Sequence, residues 1–316
     1  MKPKEILVFG ASGQIGRHLI RKLTKNNYKV VAVTRNIHQK GYILRTQANP
    51  GYLEIVQLES FNISKIKDLI SKCSVCINLI GILYEKNKDQ FKNIHTYFPK
   101  LLSKLSHEYN IDQLIHISSL GIDNAIDSKY ALSKIEGESE VKNNFNRSLI
   151  LKPSIVYSVD DNFTTTFMSL LNIVPFFPLY FEGKTKFTPI QVNDLTEIIY
   201  LSIERKISGK TIECVGPEQL TFKEIILKLL KSINKKRLLI PVPFLIAKII
   251  ANILGMFPKP IFTNDQLKLL KYDNIVSGKY LTNSDLDIKA NRKFDIEIEK
   301  YSFNYRSGGQ FSKKNL

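Results

Sequence analysis

Short apolar runs alternate with amphipathic stretches over the first half of the chain. The apolar runs predict β-strands at 6–9, 29–33, 53–56, 75–79, 113–118 and 148–152. Between them, apolar residues recur at helical spacing and predict helices at 14–25, 64–71, 89–109 and 130–142. Strands that are apolar on both faces, alternating with helices, indicate an α/β fold of the Rossmann type with a doubly wound parallel sheet.

The rhythm changes after Pro153. Proline, phenylalanine and tyrosine cluster at 174–181, which indicates either core packing or an apolar pocket. Shorter predicted elements follow at 193–204, 211–215, 221–232 and 244–254. Asn193, Asp194 and Thr221 are predicted helix caps. We expect a Rossmann domain over 1–153 to which later segments return, a smaller C-terminal α+β domain over 154–306 that binds a substrate or partner, and a flexible tail over 307–316.

Three glycines separate the first predicted strand from the first predicted helix, in the sequence Gly10-Ala-Ser-Gly13-Gln-Ile-Gly16. Gly10 permits a tight turn, Gly13 lets the backbone approach a pyrophosphate, and Gly16 lets the helix pack closely on the strand. A phosphate placed here meets free N–H groups at a helix N-terminus. The strand before and the helix after make dinucleotide binding the preferred interpretation. The predicted cofactor-binding residues of this loop are Gly10, Ser12, Gly13, Gln14, Ile15 and Gly16.

The second predicted strand ends in Val33-Thr34-Arg35, where NAD-binding chains commonly place an acid that holds the ribose hydroxyls. Arginine at this corner can pair with a 2′-phosphate through a charge-assisted hydrogen bond of roughly 1.5–3 kcal/mol. Arg17 lies directly after the third glycine. The corner therefore predicts NADP(H) in preference to NAD(H). The alternative is that Arg35 is a solvated surface residue.

The fifth predicted strand ends in Ser118-Ser119, and Tyr130 and Lys134 follow at the start of the next predicted helix. At i and i+4 these two side chains share one helix face, so the ammonium is expected to stabilise the phenolate and lower the pKa of Tyr130 from about 10. A serine hydroxyl is suited to hold a substrate carbonyl. Ser119, Tyr130 and Lys134 are therefore the candidate catalytic residues for carbonyl reduction beside a nicotinamide.

Composition is that of an ordinary globular protein of 316 residues, with 43% hydrophobic and 24% charged residues. The formal charge of +17 suits an anionic membrane, nucleic acid or an acidic partner. The lysines are scattered, however, and neither a run of five like charges nor an aromatic-interleaved basic motif occurs. We expect no nucleic-acid partner, and compositional bias is an alternative source of the charge.

Cysteine and histidine usage argues against disulfide and metal sites. Cys73, Cys76 and Cys214 are an odd number in a long chain, and the five histidines lack ligand spacing. Core packing is preferred over a redox or zinc role for the Cys73-x-x-Cys76 pair, because Cys76 falls in an apolar run. We expect no metal and a reducing compartment.

A cytoplasmic location is expected, because the N-terminal residues lack the apolar region of a signal peptide. The longest apolar stretch, 238–257, contains two prolines, a lysine and an asparagine that disfavour a spanning helix. Its part from 244 to 257 is interpreted either as a core helix of the second domain or as a segment that rests on anionic lipid. The second interpretation places the protein peripherally at the inner face of a bacterial plasma membrane.

Several further motifs give the chain a family resemblance. They are His116-Ile-Ser118, Tyr130-Ala-Leu-Ser-Lys134, Leu151-Lys-Pro153-Ser-Ile-Val, Asp161-Asn162-Phe163, Pro189-Ile-Gln-Val-Asn-Asp194 and Asp265-Gln266-Leu-Lys-Leu-Leu-Lys-Tyr-Asp273-Asn274. With the glycine loop, they resemble the extended or atypical short-chain dehydrogenase/reductase superfamily, and within it the NAD(P)H-binding accessory subunit of respiratory complex I and its bacterial relatives. The resemblance implies that Leu79, Gly81 and Ser118 line the cofactor, that Tyr130 and Lys134 reach the nicotinamide ribose, and that Pro153 flanks the nicotinamide.

Two departures from active relatives of this superfamily bear on function. Where they place an asparagine of the proton relay, this chain offers His95, with Asn93 out of register, and the spacing from Ser119 to Tyr130 is slightly short. One hypothesis is an accessory or assembly protein that holds its nucleotide structurally, with respiratory complex I or a membrane surface as partner. The alternative is an NADPH-dependent reductase or epimerase that uses Ser119, Tyr130 and Lys134 on an apolar carbonyl, quinone-related or isoprenoid substrate.

Overall fold

The apolar runs of the first half pair as neighbouring strands of one parallel sheet. The structure, a computed structural model, describes residues 5–255, 260 and 262–309. Its strands are β1 (Glu5–Phe9), β2 (Lys29–Thr34), β3 (Leu53–Gln57), β4 (Val75–Asn78), β5 (Gln113–Ile117), β6 (Ser148–Pro153), β7 (Val156–Tyr157), β8 (Phe176–Tyr180), β9 (Lys186–Phe187), β10 (Ile190–Gln191), β11 (Lys210–Cys214), β12 (Leu220–Thr221), β13 (Leu238–Val242) and β14 (Leu281–Thr282). Eight form a parallel sheet in the order β14-β11-β6-β5-β4-β1-β2-β3. The order reverses between β1 and β4, which is where such sheets bind ligands, beyond the carboxyl ends of the strands.

Helices cover both faces of this sheet. They are α1 (Gln14–Lys25), α2 (Ile37–Arg45), α3 (Ile63–Lys72), α4 (Phe98–Glu108), α5 (Lys129–Asn144), α6 (Thr164–Ile173), α7 (Val192–Glu204), α8 (Phe222–Ser232), α9 (Phe244–Gly255), α10 (Asn264–Leu269) and α11 (Phe294–Ser302). Buried residues of α1, α2 and α7 form one core with the sheet, and those of α3, α4 and α5 form a second core on the opposite face. The predicted doubly wound α/β fold is confirmed.

The predicted elements of the first half match the structure closely. All six predicted strands are present as β1 to β6, each within one residue at either end. The helix predicted at 89–109 is divided into a π-helical turn, Lys92–Tyr97, and α4. Helix α2 was not predicted, because only Gly41 and Leu44 of it are buried and no apolar stripe marks it.

Two predictions about helix caps have different outcomes. Thr221 caps α8 in a capping box with Glu224, as predicted. The prediction that Asn193 and Asp194 cap a helix is wrong, because the side chain of Gln191 caps α7 and accepts a hydrogen bond from the Asn193 N–H. Asp194 lies in the first turn and accepts hydrogen bonds from Arg292.

The second half of the chain contributes to two regions. Strands β11 and β14 and helix α7 complete the main sheet and its cover. Helices α6, α8 and α11 surround a separate core with the parallel pair β8 and β13. Within the aromatic cluster, Phe177 and Tyr180 are buried and Phe176 is exposed, so core packing accounts for most of it. Of the predicted tail, 310–316 lies outside the described residues, as do Met256 and Phe257 of the apolar segment 244–257.

Candidate functional site

The glycine loop forms a cradle of backbone at the carboxyl end of β1. Gly10 adopts φ +77, a conformation that favours glycine, and a Cβ at Gly16 would lie 2.4 Å from the Ala11 carbonyl oxygen. Helix α1 begins after Gly13 with no side-chain cap and with no acidic residue in its first turn. The first N–H groups of α1 are thus available to an anionic ligand, as a pyrophosphate site requires.

Polar side chains at the start of α1 are held by the loop after β7. The Gln14 amide donates to Ser158 Oγ at 2.9 Å, and Arg17 forms an ion pair of 2.5 Å with Asp160. Burial opposes ionisation of Asp160, but hydrogen bonds from His18 and Ser158 and the Arg17 charge lower its pKa below the usual range. Arg17 is therefore engaged within the protein.

The β2 end of the crevice, defined by Arg35, Gln57 and Glu59, is open. Arg35 is exposed and has no ion pair or hydrogen bond with the residues that the structure describes, whereas Thr34 donates to Ser12 Oγ at 3.4 Å. Gln57 accepts from the Ile37 N–H and donates to Glu59 at 2.6 Å. A cavity of about 280 Å³ lies here, lined by Gln57, Leu58, Glu59, Ser60, Asn62 and Lys65. These residues were not among the predicted site residues. They follow the third predicted strand, and the carboxyl ends of parallel strands lie at the same edge of a sheet, so their position could have been predicted.

The β5 end of the crevice, defined by Ser119, Tyr130 and Lys134, is closed. Lys134 Nζ donates to the Ile117 carbonyl oxygen at 3.0 Å and lies 3.5 Å from the position that a Cβ at Gly81 would occupy. Burial lowers the pKa of Lys134 to about 8, although the Glu138 carboxylate raises it. The chain between Ser119 and Tyr130 contains a 3-10 turn, Ile122–Asn124. Although this spacing is short, the Ser119 hydroxyl lies beside the Tyr130 phenol.

The expected effect of Lys134 on Tyr130 is wrong in direction. Burial raises the pKa of Tyr130, and the hydrogen bond with Ser119 is the influence that lowers it. The Lys134 ammonium is directed to a backbone carbonyl, so it does not stabilise the phenolate in the way that the i, i+4 spacing predicted.

His95 occupies the position where a relay asparagine was expected. It lies in the π-helical turn and is fully buried, and its Nδ1 lies 2.9 Å from Ser133 Oγ while its Nε2 accepts from the Ile82 N–H at 3.1 Å. Burial, with the Lys134 charge, lowers the pKa of His95 to about 2, so the ring is neutral. Gly137 makes this packing possible, because a Cβ there would lie 1.8 Å from the His95 carbonyl oxygen.

A buried ionic network lies beside the β5 end. Lys152 is fully buried, with ion pairs of 2.8 Å to Asp123 and 3.1 Å to Glu138. Ser118 donates to Glu138 at 2.5 Å, so its side chain belongs to this network. Pro153 follows Lys152 and accepts a hydrogen bond from the Leu120 N–H, one residue beyond Ser119. The network fixes the strand ends that carry the candidate residues.

The C-terminal segment supplies a residue that sequence reasoning missed. Asp265 accepts hydrogen bonds from Ser128 Oγ, the Lys129 N–H and the Tyr130 N–H at 2.8, 2.9 and 3.0 Å. In the sequence, Asp265 stands out only as the first residue of the family-specific motif 265–274. The motif does not indicate where this segment lies in the fold. The structure shows that it binds the start of the helix that carries Tyr130 and Lys134.

Three findings concern other expectations. Burial raises the pKa of the Cys73 thiol to about 12, and Cys76 is fully buried, in agreement with core packing. Among the described residues no three His, Cys, Asp or Glu side chains are placed to hold a metal ion. No helix within the described ranges has the length and apolar character needed to cross a bilayer.

Proteins of similar sequence include subunits of a respiratory enzyme. The profile of the NAD dependent epimerase/dehydratase family matches residues 6–212. NADH dehydrogenase (ubiquinone) 1 alpha subcomplex subunit 9 of Arabidopsis thaliana is 28% identical over 314 residues, which cover 96% of this chain and 78% of the relative. The NADH-ubiquinone oxidoreductase 40 kDa subunit of Neurospora crassa is 25% identical, over 94% of this chain and 77% of that protein.

Solved structures of similar fold include sugar-nucleotide enzymes. A dTDP-glucose 4,6-dehydratase from Streptomyces venezuelae, with NAD and TYD bound, matches 95% of this chain and 96% of its own, with a TM-score of 0.71 and 15% identity. A variant of UDP-glucuronic acid 4-epimerase from Bacillus cereus, in complex with NAD, has a TM-score of 0.71 and 18% identity, over 95% of this chain and 99% of that chain. At these identities the likeness concerns the fold.

Proposed function

The chain belongs to the NAD dependent epimerase/dehydratase family, and from this premise we propose that it binds a nicotinamide nucleotide and keeps it as a structural ligand. By analogy with the relatives from Arabidopsis thaliana and Neurospora crassa, it acts as an accessory or assembly subunit of respiratory complex I, the NADH:ubiquinone oxidoreductase. In support, a Cβ at Gly10 or Gly16 would meet backbone atoms of the protein, so glycine is needed for the tight turn into α1, whose free first N–H groups suit a pyrophosphate.

The closed surroundings of Tyr130 carry the proposal of a structural nucleotide. Tyr130 is 8% exposed, and Leu269 and Tyr272 pack against the apolar cluster that contains it. Both ring nitrogens of His95 are engaged within the protein. Acid/base catalysis requires a proton route between the phenol and either substrate or solvent. A nucleotide held beside such a tyrosine is bound without turnover.

For the cofactor we propose NADP(H) in preference to NAD(H). The support is the exposed Arg35 without an ion pair among the described residues, at the corner where a 2′-phosphate would lie. Glu59 opposes this preference, because it brings a carboxylate to the end of the neighbouring strand. Arg35 follows β2 directly, whereas the Glu59 carboxylate already accepts a hydrogen bond from Gln57. We therefore assign the larger effect on nucleotide preference to Arg35.

For the location we propose a peripheral position at the inner face of the plasma membrane, against anionic lipid beside the respiratory complex. Five large apolar residues of α9 are between 50% and 74% exposed and are called the α9 face: Phe244, Leu245, Ile246, Ile249 and Ile253. The stretch 225–264 contains six lysines and one arginine and no acidic residue. An apolar helix face in a stretch of sequence that carries basic and no acidic residues is suited to an anionic bilayer surface.

The alternative is an NADPH-dependent reductase or epimerase that acts on an apolar carbonyl, quinone-related or isoprenoid compound. The observation in its favour is that the Ser119 hydroxyl lies beside the Tyr130 phenol, with Lys134 on the same helix. In this case the segment that contains Leu269 and Tyr272 must move to admit the substrate.

One experiment decides between the two functions. The protein is purified with its native nucleotide, the nucleotide is identified after denaturation, and its oxidation by a panel of carbonyl and quinone compounds is followed for wild type and Tyr130→Phe. We expect bound NADPH that remains reduced in both proteins. Turnover by wild type that Tyr130→Phe abolishes would establish the enzyme instead, and protein that neither contains nor binds a pyridine nucleotide would refute both.

A further inference from the structure

The α9 face is connected to the candidate nucleotide site by a short series of contacts. Only Ala247 and Ala251 of α9 are buried, and they share a cluster with Leu267 of α10. A hydrogen bond between the side chains of Asn252 and Asn264 also joins the two helices. The large residues of α9 face outward, so its buried contacts are with α10 and with Tyr180 of β8, which belongs to the same cluster.

Helix α10 in turn binds the start of α5. Asp265 satisfies the backbone N–H groups of Lys129 and Tyr130, which no earlier turn of the helix can reach, and it also accepts from Ser128 Oγ. Lys268 donates to the Asp127 carbonyl oxygen at 2.8 Å. A carboxylate at a helix N-terminus is stabilised by the helix dipole as well as by its hydrogen bonds. The position of Tyr130 therefore depends on the position of α10.

We propose that Asp265 links nucleotide binding at Tyr130 and Lys134 to docking of the α9 face on anionic lipid. This inference rests on the proposed function and adds that each ligand favours the other. A nucleotide that fixes the start of α5 fixes Asp265 and thereby α10, which presents α9 in one orientation. By thermodynamic reciprocity, lipid bound to the α9 face must tighten nucleotide binding by the same factor.

The test measures both directions of this linkage. Binding to vesicles of anionic phospholipid is measured by sedimentation with and without NADPH, and the Kd of NADPH is measured with and without vesicles. We expect each ligand to tighten the other by about fivefold in wild type, a typical coupling between two sites. In Asp265→Asn, the factor by which NADPH tightens vesicle binding and the factor by which vesicles tighten NADPH binding should both fall to about one. Vesicle binding in the absence of NADPH should be retained.

Two further variants separate the linkage from general damage. Asp285→Asn is the matched control, because Asp285 also accepts hydrogen bonds at a turn, from Thr282, at the distant edge strand β14. It should keep the wild-type factor. Ser128→Ala removes one of the three donors to Asp265 and should reduce the factor in part, which keeps the test valid if Asp265→Asn does not fold.

Hydrogen exchange distinguishes failure of this inference from failure of the proposed function. NADPH should slow amide exchange in 244–255 of wild type and not in Asp265→Asn, whether or not vesicles bind. Wild type that binds NADPH without protecting 244–255, or Asp265→Asn that retains the protection, overturns the inference alone. Wild type that binds no nucleotide refutes the proposed function and this inference together.

Discussion

The two ends of the candidate crevice are built in opposite ways. At the β5 end, Tyr130 and Lys134 are buried and are held by neighbours on other elements. At the β2 end, Arg35 and Glu59 are exposed beside an open cavity. A substitution at the closed end disturbs packing before it disturbs a ligand, whereas one at the open end changes only the charge that a ligand meets. In the function proposed above, the first end would set whether a nucleotide is held, and the second would set which nucleotide.

Gly137→Ala should break the closed end by steric overlap and gives the largest expected effect. Its Cβ would lie 1.8 Å from the His95 carbonyl oxygen, so the π-helical turn and α5 must separate. We expect a loss of about 3 kcal/mol in the free energy of unfolding, measured with urea, as for severe overpacking. Gly81→Ala is the control, because the atom nearest to its Cβ would be Lys134 Nζ, at 3.5 Å. The stability of this variant should stay close to that of wild type. Equal stability of the two variants would contradict the packing described for His95.

Arg35→Glu should reverse the specificity of the open end without altering the fold. We expect NADPH affinity to fall at least about tenfold, because a charge-assisted hydrogen bond is replaced by repulsion, while NADH affinity is retained. Calorimetric titration of both nucleotides measures this. Arg45→Glu, an equally exposed charge reversal at the end of α2, is the control for net charge. Equal weakening of both nucleotides by Arg35→Glu would refute NADP(H) preference.

The pH dependence of binding should report on Lys134 at the closed end. Its pKa is lowered to about 8, so the ammonium, which we propose meets the nucleotide, is lost as pH rises through that value. We expect NADPH affinity to fall about tenfold between pH 7 and pH 9, because the charged fraction of Lys134 falls by about that factor and only the charged form attracts the nucleotide. Lys134→Arg remains charged over this range and should give a flat profile. A flat profile for wild type would show that Lys134 does not contact the nucleotide.

Glu59→Gln should strengthen the preference of the open end for NADPH, and it gives the smallest expected effect. Removal of this carboxylate should tighten NADPH by about twofold, since solvent largely screens the charge of an exposed side chain such as Glu59. Glu54→Gln, exposed on the same strand but before its carboxyl end, should leave the affinity unchanged. Because salt screens the remaining repulsion between Glu59 and the nucleotide, the gain should disappear in high salt.

Sequence patterns predicted what depends on local order. The strands β1 to β6 and the glycine loop follow from apolar runs and from backbone freedom at Gly10 and Gly16, which neighbouring residues decide. Long-range pairs were out of reach. Asp265 lies 135 residues from Tyr130 along the chain, and no periodicity indicates that its carboxylate caps that helix. The direction of the Tyr130 pKa was missed for the same reason, because burial and the turn of Lys134 to a backbone carbonyl are tertiary effects.

The late position of Asp265 has a consequence for biosynthesis. A ribosome makes α5 long before it makes α10, and β14 at the sheet edge comes later still. Until then the Lys129 and Tyr130 N–H groups at the start of α5 lack their Asp265 acceptor, although Ser128 already caps the helix, and β11 is unpaired on one side. Premature termination after the glycine loop and the tyrosine helix leaves a product with every nucleotide motif but an unfinished sheet, which is a substrate for chaperones and proteases.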